Sequence, residues 1–193
     1  MIRATNLTKA FGAELLFENI NIEIPEGKIT VIMGASGKGK TTLLRLLAGL
    51  DKEYRGEITG IPDKVAWVFQ ENRLLAWLNL YDNLALVLPD KENSYKKVTA
   101  ALRLAGLEND KYKMPAELSG GMQRRAALAR ALLSDARYLF MDEPFTGLDE
   151  LTKIQVAQKV FLLAKERALT VIVVTHDKEI AAMGDNVISL DGK

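Results

Sequence analysis

Residues 28–47 decide more about this chain than any other stretch. A nearly continuous apolar run, Lys28-Ile-Thr-Val-Ile-Met33, leads directly into Gly34, Ala35, Ser36, Gly37, Lys38, Gly39, Lys40 and Thr41, and Thr42 opens a leucine-rich segment. This fits G-x-x-x-x-G-K-[ST] where the pattern has physical meaning, after a predicted strand and before a predicted helix. The glycines let backbone N–H groups turn inward around phosphates, at a helix N-terminus that already favours anions. Lys40 then reaches the β- and γ-phosphates of a nucleotide, and the Thr41 hydroxyl ligates Mg2+. A glycine-rich turn with a chance lysine is the alternative, and the register of strand and helix argues against it. Taken alone, residues 34–42 leave kinases, GTPases and motor ATPases open. The lack of an N-K-x-D guanine-reading motif lowers the GTPase option.

Val65-Ala-Trp-Val-Phe69, Tyr138-Leu-Phe-Met141 and Val171-Ile-Val-Val-Thr175 repeat the continuous apolar pattern. Such runs predict strands covered on both faces, as in a parallel sheet flanked by helices. Residues 2–7 and 20–24 alternate more, which predicts an antiparallel edge with one wetter face. Between Phe69 and Tyr138 the strand signal disappears. Val98-Thr-Ala-Ala-Leu-Arg-Leu-Ala105 and residues 122–133 carry helix formers with apolar spacing of three and four. The expected organisation is one domain, residues 1–193, with an α/β core of 1–70 and 136–193 and a helical insertion of 71–135. At 193 residues and 48% hydrophobic, the chain can bury one substantial core. A net charge of +1 offers no broad field for nucleic acid, so none is expected as a partner. The absence of cysteine excludes disulfides and thiolate metal sites and fits a reducing cytosol. The N-terminus has no signal-peptide core, and no apolar run approaches the ~20 residues that span a bilayer.

Two further segments carry chemistry. The run from Tyr138 ends in Asp142 and Glu143, and ligands of open parallel sheets bind at the carboxyl ends of strands. Successive residues point different ways, so Asp142 can hold the Mg2+ shell while Glu143 orients and deprotonates the attacking water. An acidic cap on the next turn is the competing reading. Leu118 is followed by Ser119, Gly120, Gly121, Met122 and Gln123. Ser119 is a good N-cap for a helix running to about Leu133, and the glycines leave its first N–H groups uncovered, which makes a second anion-binding helix end. Because the first glycine loop already surrounds the nucleotide, this end makes sense facing the γ-phosphate held by another copy.

With these residues in view, the chain resembles the ABC ATPase family over essentially its whole length. Leu118 to Gln123 resembles the family's signature motif, Asp142-Glu143 its Walker B end, and Gly147-Leu148-Asp149 its D-loop. Gln70 resembles the Q-loop glutamine that senses Mg2+ and the lytic water. His176, the only histidine, resembles the switch histidine at the γ-phosphate. Phe11 lies where the family usually has an aromatic stacking on adenine; a core phenylalanine is the alternative. The resemblance implies a RecA-like P-loop α/β core with an antiparallel β edge and an inserted helical subdomain. It also implies ATP and Mg2+ as cofactors, and a head-to-tail homodimer or paired ATPase subunit formed on ATP binding. Ala35 stands where proline is common, and Lys38 where a small residue is usual. The segment from Phe69 to Leu84 is similar to importers of nitrate, sulfonates, taurine and thiamine precursors, with Asn72 and Ala76 in place of prolines. That implies membrane permease subunits, a solute-binding protein, and a cytoplasmic position on the inner face of the membrane. Trp77 and nearby leucines could line a groove for a permease helix, or be core. The chain ends soon after Asp191, so regulation by a further C-terminal domain is not expected. An ATP-gated regulator of a membrane protein that moves no solute is the competing class.

Overall fold

The computed structural model describes residues 1–12, 14–89 and 93–191. In chain order its elements are β1 (Ile2–Phe11), β2 (Glu14–Ile24), β3 (Ile29–Met33), α1 (Lys40–Leu47), β4 (Arg55–Thr59), β5 (Val65–Val68), α2 (Leu80–Ala85), α3 (Ser94–Leu104), α4 (Gly120–Leu133), β6 (Tyr138–Asp142), α5 (Glu150–Glu166), β7 (Thr170–Val174), α6 (Lys178–Ala182) and β8 (Asn186–Ser189). Short 3₁₀ turns at Glu108–Asp110 and Pro115–Glu117 precede α4.

A parallel sheet runs in the order β5-β6-β7-β3-β8, and an antiparallel one in the order β2-β1-β4. Strand β7 shows why the apolar runs are continuous. Val171 and Val173 join one buried cluster with Leu128 of α4, Ala157, Val160, Phe161 and Ala164 of α5, and Ile180 of α6. Ile172 and Val174 join the other, with the leucines of α1 and the inner face of the antiparallel sheet, including Ile2, Leu7, Ile20 and Ile24. Both faces are dry, so Val171 to Val174 are all apolar.

Some elements depart from the sequence reading. β1 continues to Phe11 and β2 begins at Glu14, because a hairpin ribbon with Lys9 opposite Phe17 and Phe11 opposite Glu14 extends past the alternating apolar residues. β4 and β8 were not anticipated. β4 is polar, Arg-Gly-Glu-Ile-Thr, and exists by pairing with β1; β8 lies beside β3 at the sheet's edge. The long α5 also went unread, although its buried Ala157, Val160, Phe161 and Ala164 recur at helical spacing.

Helices α2, α3 and one face of α4 enclose a third apolar cluster of Leu80, Leu84, Val98, Leu102, Leu118, Ala126 and Ala129. Helix α4 therefore faces two ways, since its Leu128 and Ala131 belong to the cluster under the parallel sheet. The fully buried Asn83 organises the loop before α2: its amide donates to the carbonyls of Leu75, Leu78 and Asn79 and its Oδ1 accepts from the Leu75 N–H. That loop presents Trp77 outward, 73% exposed. Among the described residues no helix is long and apolar enough to cross a membrane.

Candidate active site

The carboxyl edge of the parallel sheet is aligned by register: Asp142 pairs with Val174, and Val174 with Ile32. The ladder continues one step further through Glu143 N–H to Val174 O at 2.9 Å and Thr175 N–H to Ile32 O at 3.2 Å. The segments that follow β3, β6 and β7 therefore leave the sheet side by side, and this brings the glycine loop, the acidic pair and His176 together.

In the glycine loop Gly37 (φ 82) and Gly39 (φ 78) adopt the left-handed conformation open to residues without a Cβ. Gly39 is also the N-cap of α1, where a Cβ would come within 2.6 Å of the Leu16 side chain. Lys40 is buried and folds back over the loop, its Nζ donating to Gly34 O at 2.7 Å and Ala35 O at 2.9 Å. The Ala35 N–H donates to Asp191 Oδ1 at 2.9 Å. Ser36 and Lys38 are exposed; Thr41 and Thr42 are half-buried in the first turn of α1.

Thr41 Oγ1 donates to Asp142 Oδ1 at 3.0 Å. Burial pushes the Asp142 carboxyl up from its ordinary range, and the neighbouring Glu143 adds to this; the Thr41 hydroxyl, Arg45 and Arg124 act in the opposite direction. Among the described residues no group of three or more His, Cys, Asp and Glu forms a metal cage. Thr41 and Asp142 instead offer two hard oxygens next to the glycine loop. That donor set fits Mg2+, which binds through one or two protein oxygens and completes its shell with phosphates and water.

Glu143 takes φ 45, left-handed for a residue with a side chain, a strain that persists only where the surroundings enforce it. Its Oε1 lies 2.9 Å from His176 Nδ1, and Thr175 Oγ1 donates to its Oε2 at 3.4 Å. A carboxylate only accepts, so this contact requires the proton on Nδ1 and leaves His176 Nε2 as the outward nitrogen. Gln70 is exposed just beyond β5, with its carbonyl accepting from Arg124 Nη1 at 3.1 Å.

Ser119 caps α4, its Oγ accepting from the Met122 N–H at 3.2 Å. Open space surrounds Gly120, while a Cβ on Gly121 would meet Leu148 at 3.3 Å. Met122 is half-buried. Gln123 turns back on its own helix start, donating to Pro115 O at 2.9 Å and Leu118 O at 3.3 Å. Asp149 caps α5 through the Thr152 N–H at 3.0 Å. Phe11 is not a core residue: it stands 54% exposed at the end of β1. Lys9 Nζ, paired with Asp51 at 2.9 Å, lies 4.8 Å from one face of its ring.

Arg124 is the residue the sequence reading missed. On α4, 2% exposed, it donates to main-chain carbonyls of the segment after β5 and of the turn after β6. In sequence it is half of a basic pair on a helix, which normally marks a solvated face.

A family model described as ABC transporter matches residues 17–146. The chain belongs to the ABC transporter family. The match takes in the glycine loop, residues 118–123 and the acidic pair, and the chain is an ABC ATPase. It is 42% identical over 193 residues to the aliphatic sulfonates import ATP-binding protein SsuB 2 of Rhodococcus jostii, covering 98% of this chain and 78% of that protein. SsuB of Pseudomonas fluorescens is 41% identical over 194 residues, covering 96% of this chain and 72% of the relative. Among solved structures, the dimeric bacterial ABC transporter cassette MJ0796 superposes with a TM-score of 0.87 at 33% identity, covering 98% of this chain and 94% of that one. A dimeric post-hydrolysis state of the same cassette, bound to ADP and Pi, gives 0.85 at 32% identity and the same coverage. The α/β ABC cassette fold expected from the sequence is thus the fold this family member has.

Proposed function

We propose that this ABC ATPase is the energising subunit of an importer, hydrolysing MgATP in a head-to-tail dimer and driving solute uptake through a separate membrane permease. The observation that carries the reading is the convergence of Lys40, Thr41, Asp142, Glu143 and His176 at one edge of the parallel sheet. The names of the relatives support import, and aliphatic sulfonates or similar small organic anions are the solute class, delivered by a solute-binding protein. Peripheral attachment at the cytoplasmic face of the membrane follows from that role.

In this reading Phe11 stacks on the base with the ring face away from Lys9. Backbone N–H groups of residues 36–42 wrap the phosphates, and Lys40 exchanges its two carbonyl partners for β- and γ-phosphate oxygens, stronger acceptors for a cation. Thr41 and Asp142, with Gln70 at the edge of the shell, would hold Mg2+, which when bound neutralises phosphate charge. Glu143 accepts a proton from the water that attacks the γ-phosphorus, as the bond to the ADP oxygen breaks. His176, its Nδ1 fixed by Glu143, directs Nε2 at the γ-phosphate. From the second copy, Ser119 and the bared N–H groups of residues 120–123 bind the same γ-phosphate, with Asp149 of the D-loop at the seam. The division into a core of 1–70 and 136–193 and a helical subdomain of 71–135 lets one part swing against the other.

The test is Glu143→Gln, which keeps shape and polarity but cannot take a proton. It should bind ATP normally, lose roughly 10²–10⁴-fold in turnover, and elute as a dimer in ATP but not ADP. Wild-type turnover by this variant removes Glu143 from the role of base.

A further inference from the structure

We propose that Arg124 is a positioning residue, the joint that couples helix α4 and the segment after β5 to the strand end that carries Glu143. This rests on the ATPase reading of the site given above.

All five guanidinium N–H groups have acceptors, and these fall into two sets. On one side Nη1 donates to Phe69 O at 2.6 Å and Gln70 O at 3.1 Å, with Asn72 Oδ1 at 3.4 Å. On the other, Nε donates to Pro144 O at 2.6 Å, and Nη2 to Glu143 O at 2.5 Å and Asp142 O at 3.3 Å. Among the described residues no carboxylate pairs with it directly. Burial draws its pKa down to about 10, against the pull of the Asp142 and Glu143 charges, so it remains a cation at neutral pH. A buried cation satisfied entirely by carbonyls is costly unless every bond is made. That cost fixes the acceptors: neither set can move away without stranding part of the charge.

The two sets are the ones that matter to the chemistry. The Glu143 peptide is gripped from both sides, its carbonyl by Arg124 and its N–H by Val174 O at 2.9 Å. Together these hold the left-handed φ of 45 that aims the side chain at His176. The other set is the backbone of Gln70 and its neighbours. A second arginine of α4, Arg130, donates to Arg73 O at 2.9 Å and Asn72 O at 3.3 Å. The Arg73 guanidinium lies 3.6 Å over the Phe69 ring. Residues 69–73 thus hang from α4 through both arginines, and Arg124 also reaches 142–144. Ser119 caps the start of helix α4, so a shift of its N-terminus on meeting a γ-phosphate is passed through Arg124 to Gln70 and Glu143 at once.

Two variants separate bridging from charge and from bulk. Arg124→Met keeps the length and removes every donor. Arg124→Lys keeps the charge, but its donors sit on one atom that cannot reach both sets. Both should lower kcat by about 30-fold or more, with KM for MgATP and the affinity for ADP within threefold of wild type. Amide hydrogen exchange of residues 70–73 and 143–146 should rise together in Arg124→Lys. If Arg124→Met fails to fold, Arg124→Lys decides alone. Wild-type kcat in Arg124→Lys overturns the proposal, as does a loss of nucleotide affinity equal to the loss of kcat. If the wild type itself fails to hydrolyse ATP, the ATPase reading has failed, and the exchange measurement still judges the joint: unchanged protection of either segment refutes it.

Discussion

Ser119 offers a way to separate what a residue does for its own helix from what it does for another molecule. In the single chain its hydroxyl makes one cap bond, to the Met122 N–H at 3.2 Å, at an exposed position. Losing such a cap costs about 1 kcal/mol, and helix α4 is otherwise held by Gln123, Arg124, Arg130 and its buried alanines. For a chain of this size Ser119→Ala should therefore lower Tm by about 2–4 °C and no more. In the proposed dimer the same hydroxyl faces a phosphate, and a hydrogen bond to a charged group contributes about 1.5–3 kcal/mol. Two-fold symmetry counts that loss twice. The ATP-dependent dimer should then weaken by about 3–6 kcal/mol, on the order of 10²–10⁴-fold in dissociation constant. Ser119→Arg should abolish it outright while ATP still binds the chain's own glycine loop. The assay is sedimentation of each variant in the Glu143→Gln background with ATP, beside a thermal melt of the same preparation. If Ser119→Ala loses its few degrees yet dimerises with undiminished affinity, the hydroxyl is a helix cap and nothing else.

Phe11→Ala should weaken ATP and GTP binding alike by about 5- to 100-fold, the range of one base–aromatic stack, and wild-type turnover of the two should agree within about tenfold; a thousandfold preference shows that another residue reads the base. Trp77→Glu, at an exposed position, should leave Tm and nucleotide affinity unchanged but release the permease in co-purification; retention of the permease with normal uptake moves the coupling surface elsewhere. Asp177 is raised by burial, but the Lys153 ammonium and the Ile180 and Glu179 N–H groups outweigh that and leave its pKa below the ordinary 3.8. Its charge therefore stabilises the fold above that value and ceases to as pH falls through the lowered pKa. The Tm gap between wild type and Asp177→Asn should be constant from about pH 8 to 5 and close below about pH 4; a gap that closes near neutrality contradicts this account.

How far the sequence could be read depended on whether a residue's partners were local or uniform. The parallel strands were legible because both faces are buried, so Val171 to Val174 needed no knowledge of which neighbour each would meet. The glycine loop was legible because phosphate binding demands a fixed spacing, and Gly37 and Gly39 take the conformations that spacing allows. β4 was not, since a strand that reads Arg-Gly-Glu-Ile-Thr is made by its partner β1 rather than by its own residues. Phe11 and Trp77 were legible in type but not in exposure, which depends on where a hairpin and a loop end.

Arg124 marks the limit of that kind of reading. Its acceptors lie 18 to 55 residues away, and all but Asn72 Oδ1, the longest contact of the set, are backbone carbonyls, which every residue type supplies equally. Among the described residues no charged side chain complements it for a charge pattern to detect, whereas a carboxylate partner would have left one. The same feature makes the joint resistant to substitution at the acceptor end, because changing Phe69 or Pro144 leaves a carbonyl in place. Variation that alters this coupling must therefore act at Arg124 itself or on the paths of the two segments. Loss of the joint should accordingly arise from changes at one position, and adjustment of it from changes that bend residues 69–73 or 142–144.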